Sequence, residues 1–135
     1  MKIYRAIYYG EVVLNLGSAL FGIFAPAAFL SQFTPAPKSD VAIEMMRWFG
    51  GLMTVLTWVG WRILRSGDNR ALSRMLEGFL VGDIVHLVIL LRFIQVIGGY
   101  PSAVIFDILI TISLGVSRAL YLWQTRKGGP LDIWK

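Results

Sequence analysis

The sequence predicts an all-α integral membrane protein, a four-helix transmembrane bundle of antiparallel, up-down topology. Three observations predict it. Hydrophobic residues make up 56% of the 135 and charged residues only 16%, where a soluble domain carries roughly a quarter charged. The mean hydropathy is +0.65, which is more apolar surface than one small globule can bury, so lipid is the expected solvent. Four apolar stretches each have about the 20 residues needed to cross a ~30 Å hydrocarbon core. The length suits one domain, read as residues 1–135.

The first helix is expected over about Tyr8 to Leu30, with Pro26 bending or ending its last turn. The basic start MKIYR precedes an apolar run that contains Glu11 and Asn15 and lacks a small-residue cleavage site, so this run reads as a retained membrane helix and not as a leader. SQFTPAPKSD is a Pro-rich turn whose Asp40 can cap a second helix over about 42–64. RSGDNR is a polar turn, with Asp68 or Asn69 as cap for a third helix over about 72–97. GGYPS breaks the chain, and Ser102 can cap a fourth helix ending near Trp123. The tail is polar, with Trp134 placed to anchor at the interface. No internal repeat is evident, which leaves an inverted-repeat transporter unsupported.

Orientation follows from the basic residues. Lys2 and Arg5 precede the first helix; Arg62, Arg65, Arg70 and Arg74 surround the second loop; Arg126, Lys127 and Lys135 lie in the tail. The first loop has only Lys38 and the third has none. The positive-inside rule puts both termini and the second loop in the cytoplasm. Tyr4, Tyr8, Trp58, Trp61, Tyr121 and Trp123 would gather at the inner interface, with Trp48 and Tyr100 at the outer one. The net charge of +5 is explained by this topology. The basic loop lacks the interleaved aromatic residues of a nucleic-acid site, so no nucleic acid is expected as partner, and lipid headgroups are the simpler one. The absence of cysteine removes disulfides, thiol chemistry and thiolate-ligated metals.

Ionisable groups inside the apolar stretches are the candidates for function. LEGFLVGDIVHLVILLR, residues 76–92, holds four of them. At ~1.5 Å rise per residue, sequence position gives depth, and three layers emerge. Glu11, Asn15, Glu77 and Arg118 lie near the inner side, Asp83 and His86 near the middle, and Glu44, Arg47, Arg92 and Asp107 toward the outer side. A lone charge at the bilayer centre costs about 2.5–3.5 kcal/mol on insertion scales, so these groups should pair inside the bundle. The expected partners are Arg118 for Glu11 and Glu77, and Arg47 and Arg92 for Glu44 and Asp107.

Asp83 and His86 are spaced by three, so their side chains can meet on one helix face. Together they would form an acid–base unit; the structural alternative is a pair that locks two helices together. Gly78, Gly82 and His86 share a face, and the GxxxG spacing predicts a tight helix crossing beside the histidine. Gly17, Ser18 and Gly22 read as packing contacts. Asp107, bridged to a second carboxylate by Arg92 or Arg47, would be placed to activate water. Glu44 and Arg47, followed by Trp48, read either as a pocket mouth or as an interfacial ion pair. Glu11, Asn15 and Glu77, with Arg118, read as a polar floor or as a buried structural network. His86 is the only histidine, so bis-histidine ligation within one chain is impossible, and neither a metal nor a cofactor is expected. GxxxxGK[ST], GxGxxG and HExxH are absent, which leaves nucleotide and zinc-protease chemistry unsupported.

FGIFAPAAFL, RWFGGLM and RSGDNRALSRMLEGFLVGDIVHL resemble segments of the small four-helix membrane proteins that include the DoxX-like families. They cover about half the chain, and none is a catalytic motif. The resemblance implies the fold; some members of that group are linked to quinone-related or redox complexes. A remoter similarity is to membrane sterol isomerases, which place acidic residues and a histidine around an apolar ligand; no motif assigns their residues here.

The functional expectation is a polar intramembrane pocket for a lipophilic small molecule. Asp83, His86, Asp107 and Glu44 would do acid–base chemistry there: isomerisation, cyclisation or epoxide opening of an isoprenoid, sterol or polyketide-like substrate. Arg47, Arg92, Glu11, Asn15, Glu77 and Trp48 would bind substrate. Such reactions need a placed proton and a dry cavity. The main rival is a non-catalytic accessory subunit or assembly factor, in a homo-oligomer or a larger membrane complex. Proton or ion translocation is a third reading.

Overall fold

The computed structural model describes residues 2–126, and all the regular structure among them is helical. Lys127, Trp134 and Lys135, to which the sequence assigns charge and anchoring roles, lie outside the described residues. Five helices follow in order: α1 (Lys2–Phe24), α2 (Pro26–Ser31), α3 (Asp40–Ser66), α4 (Asn69–Ile97) and α5 (Ser102–Arg126). They fall into two compact units. One contains α1, α2, α3 and the short Pro101–Ala103 segment; the other contains α4 and the rest of α5, from Val104 to Arg126.

In the first unit the expected single helix over 8–30 is two helices. A residue before proline is pushed out of the α region by the pyrrolidine ring, and Ala25 accordingly sits at φ −135, ψ 56. Helix resumes at once because Pro26 occupies a first-turn position, where its missing N–H costs nothing. Phe21 and Phe29 meet edge-to-face across the break, with centroids 5.5 Å apart. α1 also begins earlier than expected, at Lys2. The sequence reading marked only the apolar window, while lysine and arginine are themselves good helix formers.

α3 is capped by Ser39, not by Asp40: the Ser39 hydroxyl accepts the Ala42 amide at 3.2 Å. Asp40 instead sits in the first turn, where its charge meets the positive end of the helix dipole. At the other end Gly67 is left-handed, φ +76, a conformation glycine adopts without a Cβ penalty. Arg5 of α1 reaches the same end, its Nη1 donating to Leu64 O at 3.1 Å and its Nη2 to Gly67 O at 3.0 Å. The guanidinium thus satisfies carbonyls that have no partner within the helix and fixes α1 and α3 as antiparallel. The two helices come close at glycines. A Cβ on Gly50 would stand 2.8 Å from Ala19 O, and one on Gly22 would stand 2.6 Å from the Met46 Cε. Tyr9 packs edge-to-face on Trp61, and the Arg65 guanidinium lies over the same indole.

In the second unit α4 starts at Asn69, with Asp68 directly before it, and stops at Gly98, which is left-handed (φ +66) and donates to Ile94 O at 3.0 Å. Pro101 then forces Tyr100 out of the helical region, and α5 begins at Ser102. Glu77 pairs with Arg126, Asp83 with Arg118 and His86 with Asp107. The partner number falls as the first rises, so α4 and α5 are antiparallel. Within this unit α5 does not make the tight crossing expected at Gly78 and Gly82: apart from the nearby α4 backbone, no described atom lies within 4 Å of a Cβ built at either. In the first unit the same holds at Gly17, apart from the nearby α1 backbone. In the second unit α4 comes nearest a glycine at Gly115, where a built Cβ would stand 3.5 Å from Asp83 Oδ2, an ordinary van der Waals contact.

α1 from Ile3, α4 and α5 are long and apolar enough to cross a membrane. α3 is as long, but Asp40, Glu44 and Arg47 at one end and Arg62 and Arg65 at the other interrupt its apolar composition. Of the aromatic residues expected at the inner interface, Trp58 and Trp123 are exposed, whereas Tyr8 and Tyr121 are buried in the protein.

Candidate functional site

Asp83 lies at the middle of α4, and His86 follows three residues on, about 4.5 Å further along the axis. Both are therefore at hydrocarbon depth if α4 crosses a bilayer. The sequence expects them to pair with each other. The structure gives each a partner on α5 instead. Asp83 Oδ2 accepts from Arg118 Nη1, and His86 Nε2 lies 3.1 Å from Asp107 Oδ2. Side chains at i and i+3 of one helix can touch, but groups on a facing antiparallel helix approach end-on, and here those groups carry the complementary charge.

The two pairs differ in surroundings. The Arg118 side chain is 2% exposed and Asp83 16%. The guanidinium also stacks over the Phe79 ring, 5.3 Å from its centroid. Phe79 and Asp83 are four apart on α4, so one face of that helix supplies both an anion and a π-face to the same cation. A buried pair of this kind is strongly destabilised by loss of one partner, since the other charge stays buried without compensation. Within this unit Arg118 pairs with Asp83, while Glu77 pairs with Arg126.

His86 and Asp107 are 43% and 34% exposed at the side chain, open enough for another molecule to reach. The carboxylate is held from behind: Thr111 Oγ1 donates to Asp107 Oδ1 at 3.5 Å. The hydrogen bond to Asp107 puts a proton on Nε2, so in the neutral ring Nδ1 carries the lone pair. Nδ1 makes no hydrogen bond among the described residues. A carboxylate orienting an imidazole whose other nitrogen is open is the geometry of a general base, and of a general acid once that nitrogen is protonated.

The remaining candidates distribute elsewhere. Asp107 faces a histidine, and Arg92, expected to bridge it to a second carboxylate, donates through Nη1 to Gln95 Oε1 at 3.3 Å instead. Glu44 and Arg47 pair with each other, exposed, on α3. Glu44 with Trp48, Val41 and Met45 lines an open apolar groove. Glu77 pairs with Arg126 at 2.9 Å, exposed. Glu11 is buried and Asn15 half-buried on α1. No three histidine, aspartate or glutamate side chains gather as metal ligands among the described residues. Sequence reasoning missed Thr111, Phe79 and Gly115. The spacing of four between Asp107 and Thr111 was a legible signal; the contacts of the other two depend on how α5 lies on α4.

No protein-family model, curated protein or solved structure matches the chain.

Proposed function

We propose that this chain binds a lipophilic small molecule within the membrane and catalyses cofactor-free proton transfer on it at His86 and Asp107. His86 Nδ1 exchanges the proton with substrate, Asp107 orients the ring through Nε2, and Thr111 positions Asp107. The buried Asp83–Arg118 pair one turn away supplies a fixed local field. In this reading α3 crosses the bilayer with the three more apolar helices, as a four-helix antiparallel bundle with both termini on the cytoplasmic side. The substrate classes that suit a placed proton without a cofactor are isoprenoids, sterols and polyketide-like molecules undergoing isomerisation, cyclisation or epoxide opening. The observation that carries the proposal is the half-exposed imidazole at mid-helix, held on one nitrogen and open on the other. Ionisable side chains at such depth are functional candidates because their placement is costly.

One observation favours a second reading, that of an accessory subunit or assembly factor of a membrane complex. The ion pairs Glu77–Arg126, Asp83–Arg118 and His86–Asp107 each join α4 to α5, as internal clamps would. The two readings separate by chemistry. Incubation of the reconstituted protein with neutral isoprenoid, sterol and epoxide panels in isotopically labelled water yields labelled product in the catalytic reading. His86→Gln and Asp107→Asn then remove the product while the helices remain folded. In the accessory reading neither the wild type nor the variants make product.

A further inference from the structure

A groove runs between α4 and α5 near the N-terminal end of one and the C-terminal end of the other, lined by Glu77, Leu80, Val81, Leu122, Trp123 and Arg126. Its volume is about 430 Å³, within the ~300–1,000 Å³ span of small-molecule sites. Its two ends are chemically distinct. Leu80, Val81 and Leu122 form an apolar wall on the side toward the middle of the helices. Arg126, the last residue of α5, closes the other end and is 73% exposed. Only its Nη2 is used by Glu77, which leaves Nη1 and Nε to donate elsewhere. Arg74, exposed on α4, stands one turn before Glu77 and shares a helix face with Glu77 and Val81. Glu77 offsets one of these two arginines, so the polar end is net cationic. Trp123 is exposed at the same level, where indoles favour the membrane–water boundary.

We propose that this groove is a binding site for an anionic phospholipid of the leaflet that meets the basic end of α4. One acyl chain lies along Leu80, Val81 and Leu122, and the phosphate accepts hydrogen bonds from Arg126 and from Arg74. The graded lining matches a lipid, apolar over its length and anionic at one end. A soluble phosphate would use only the arginines. The site is separate from His86 and Asp107, so it does not depend on the catalytic reading.

Native mass spectrometry of the full chain in a non-ionic detergent tests the site, with phosphatidylglycerol and phosphatidylcholine of equal acyl length as probes. The wild type retains phosphatidylglycerol in preference to phosphatidylcholine. Arg74→Gln and Arg126→Gln each weaken phosphatidylglycerol roughly fivefold, and Glu77→Gln strengthens it. Val81→Trp, which fills the groove from an exposed position, lowers retention of both lipids. Circular dichroism confirms that each variant keeps its helices. Equal retention of the two lipids by the wild type, arginine variants that bind as the wild type does, or displacement of the lipid by inorganic phosphate would each overturn the proposal.

Discussion

At the residue scale, the chemistry of this chain is set by which charge meets which. Asp83, His86 and Arg118 are all legible as unusual residues in apolar helices, and their type and depth were sufficient to select them. Their pairing was not legible. Spacing along one helix proposes Asp83 with His86, whereas the register of α5 assigns Arg118 to the first and Asp107 to the second. That register depends on long-range packing that no local pattern encodes. The difference in burial makes a quantitative prediction. Arg118→Ala leaves Asp83 as an uncompensated buried charge and should cost about 3–5 kcal/mol. Arg126→Ala breaks an exposed pair and should cost at most about 0.5 kcal/mol. Denaturant unfolding of the two variants in detergent measures both; equal losses would show that the Asp83–Arg118 pair is not the internal clamp described above.

At the scale of elements, glycine content alone misleads. Gly78 and Gly82 carry the GxxxG spacing, yet α5 does not approach them, while Gly22 and Gly50 lie where α1 and α3 come together. The spacing motif states that close approach is permitted; it does not state where a partner helix exists. Gly50→Ala drives a Cβ against the Ala19 carbonyl and the Ile23 side chain and should destabilise by about 1–3 kcal/mol. Gly82→Ala meets nothing and gains helix propensity, so it should be neutral or stabilising by up to about 1 kcal/mol. Thermal unfolding of the pair checks the contrast, and reversed signs would move the crossing to α4. Other element features were readable because they are local. Pro26 breaks the first helix, Gly67 and Gly98 end helices in the left-handed conformation, and Pro101 sets the start of α5.

At the scale of the whole molecule, the helical class and the apolar composition were legible from the sequence, and three helices meet the length and composition of a membrane span. α3 is where composition ceases to decide, since its charged ends and its mid-helix Gly and Thr residues dilute an otherwise apolar stretch. The chain has no cysteine, so single cysteines report sidedness without background. With four crossings, a cysteine at Lys38 or Gly99 is labelled from outside intact cells, and one at Gly67 only after permeabilisation. If Lys38 and Gly67 report the same side, α3 does not cross. The proposed function rests on the imidazole at mid-helix in α4. The most direct measurement is mass spectrometry of apolar molecules after incubation with the reconstituted protein in deuterium oxide, or in heavy-oxygen water for epoxides. Proton transfer at His86 predicts an isomerised or cyclised product with a deuteron on carbon, or a diol carrying the heavy oxygen, formed by the wild type and lost in His86→Gln and Asp107→Asn. Labelled product formed equally by the wild type and the folded His86→Gln variant, or no product from the wild type on any substrate of these classes, would contradict it.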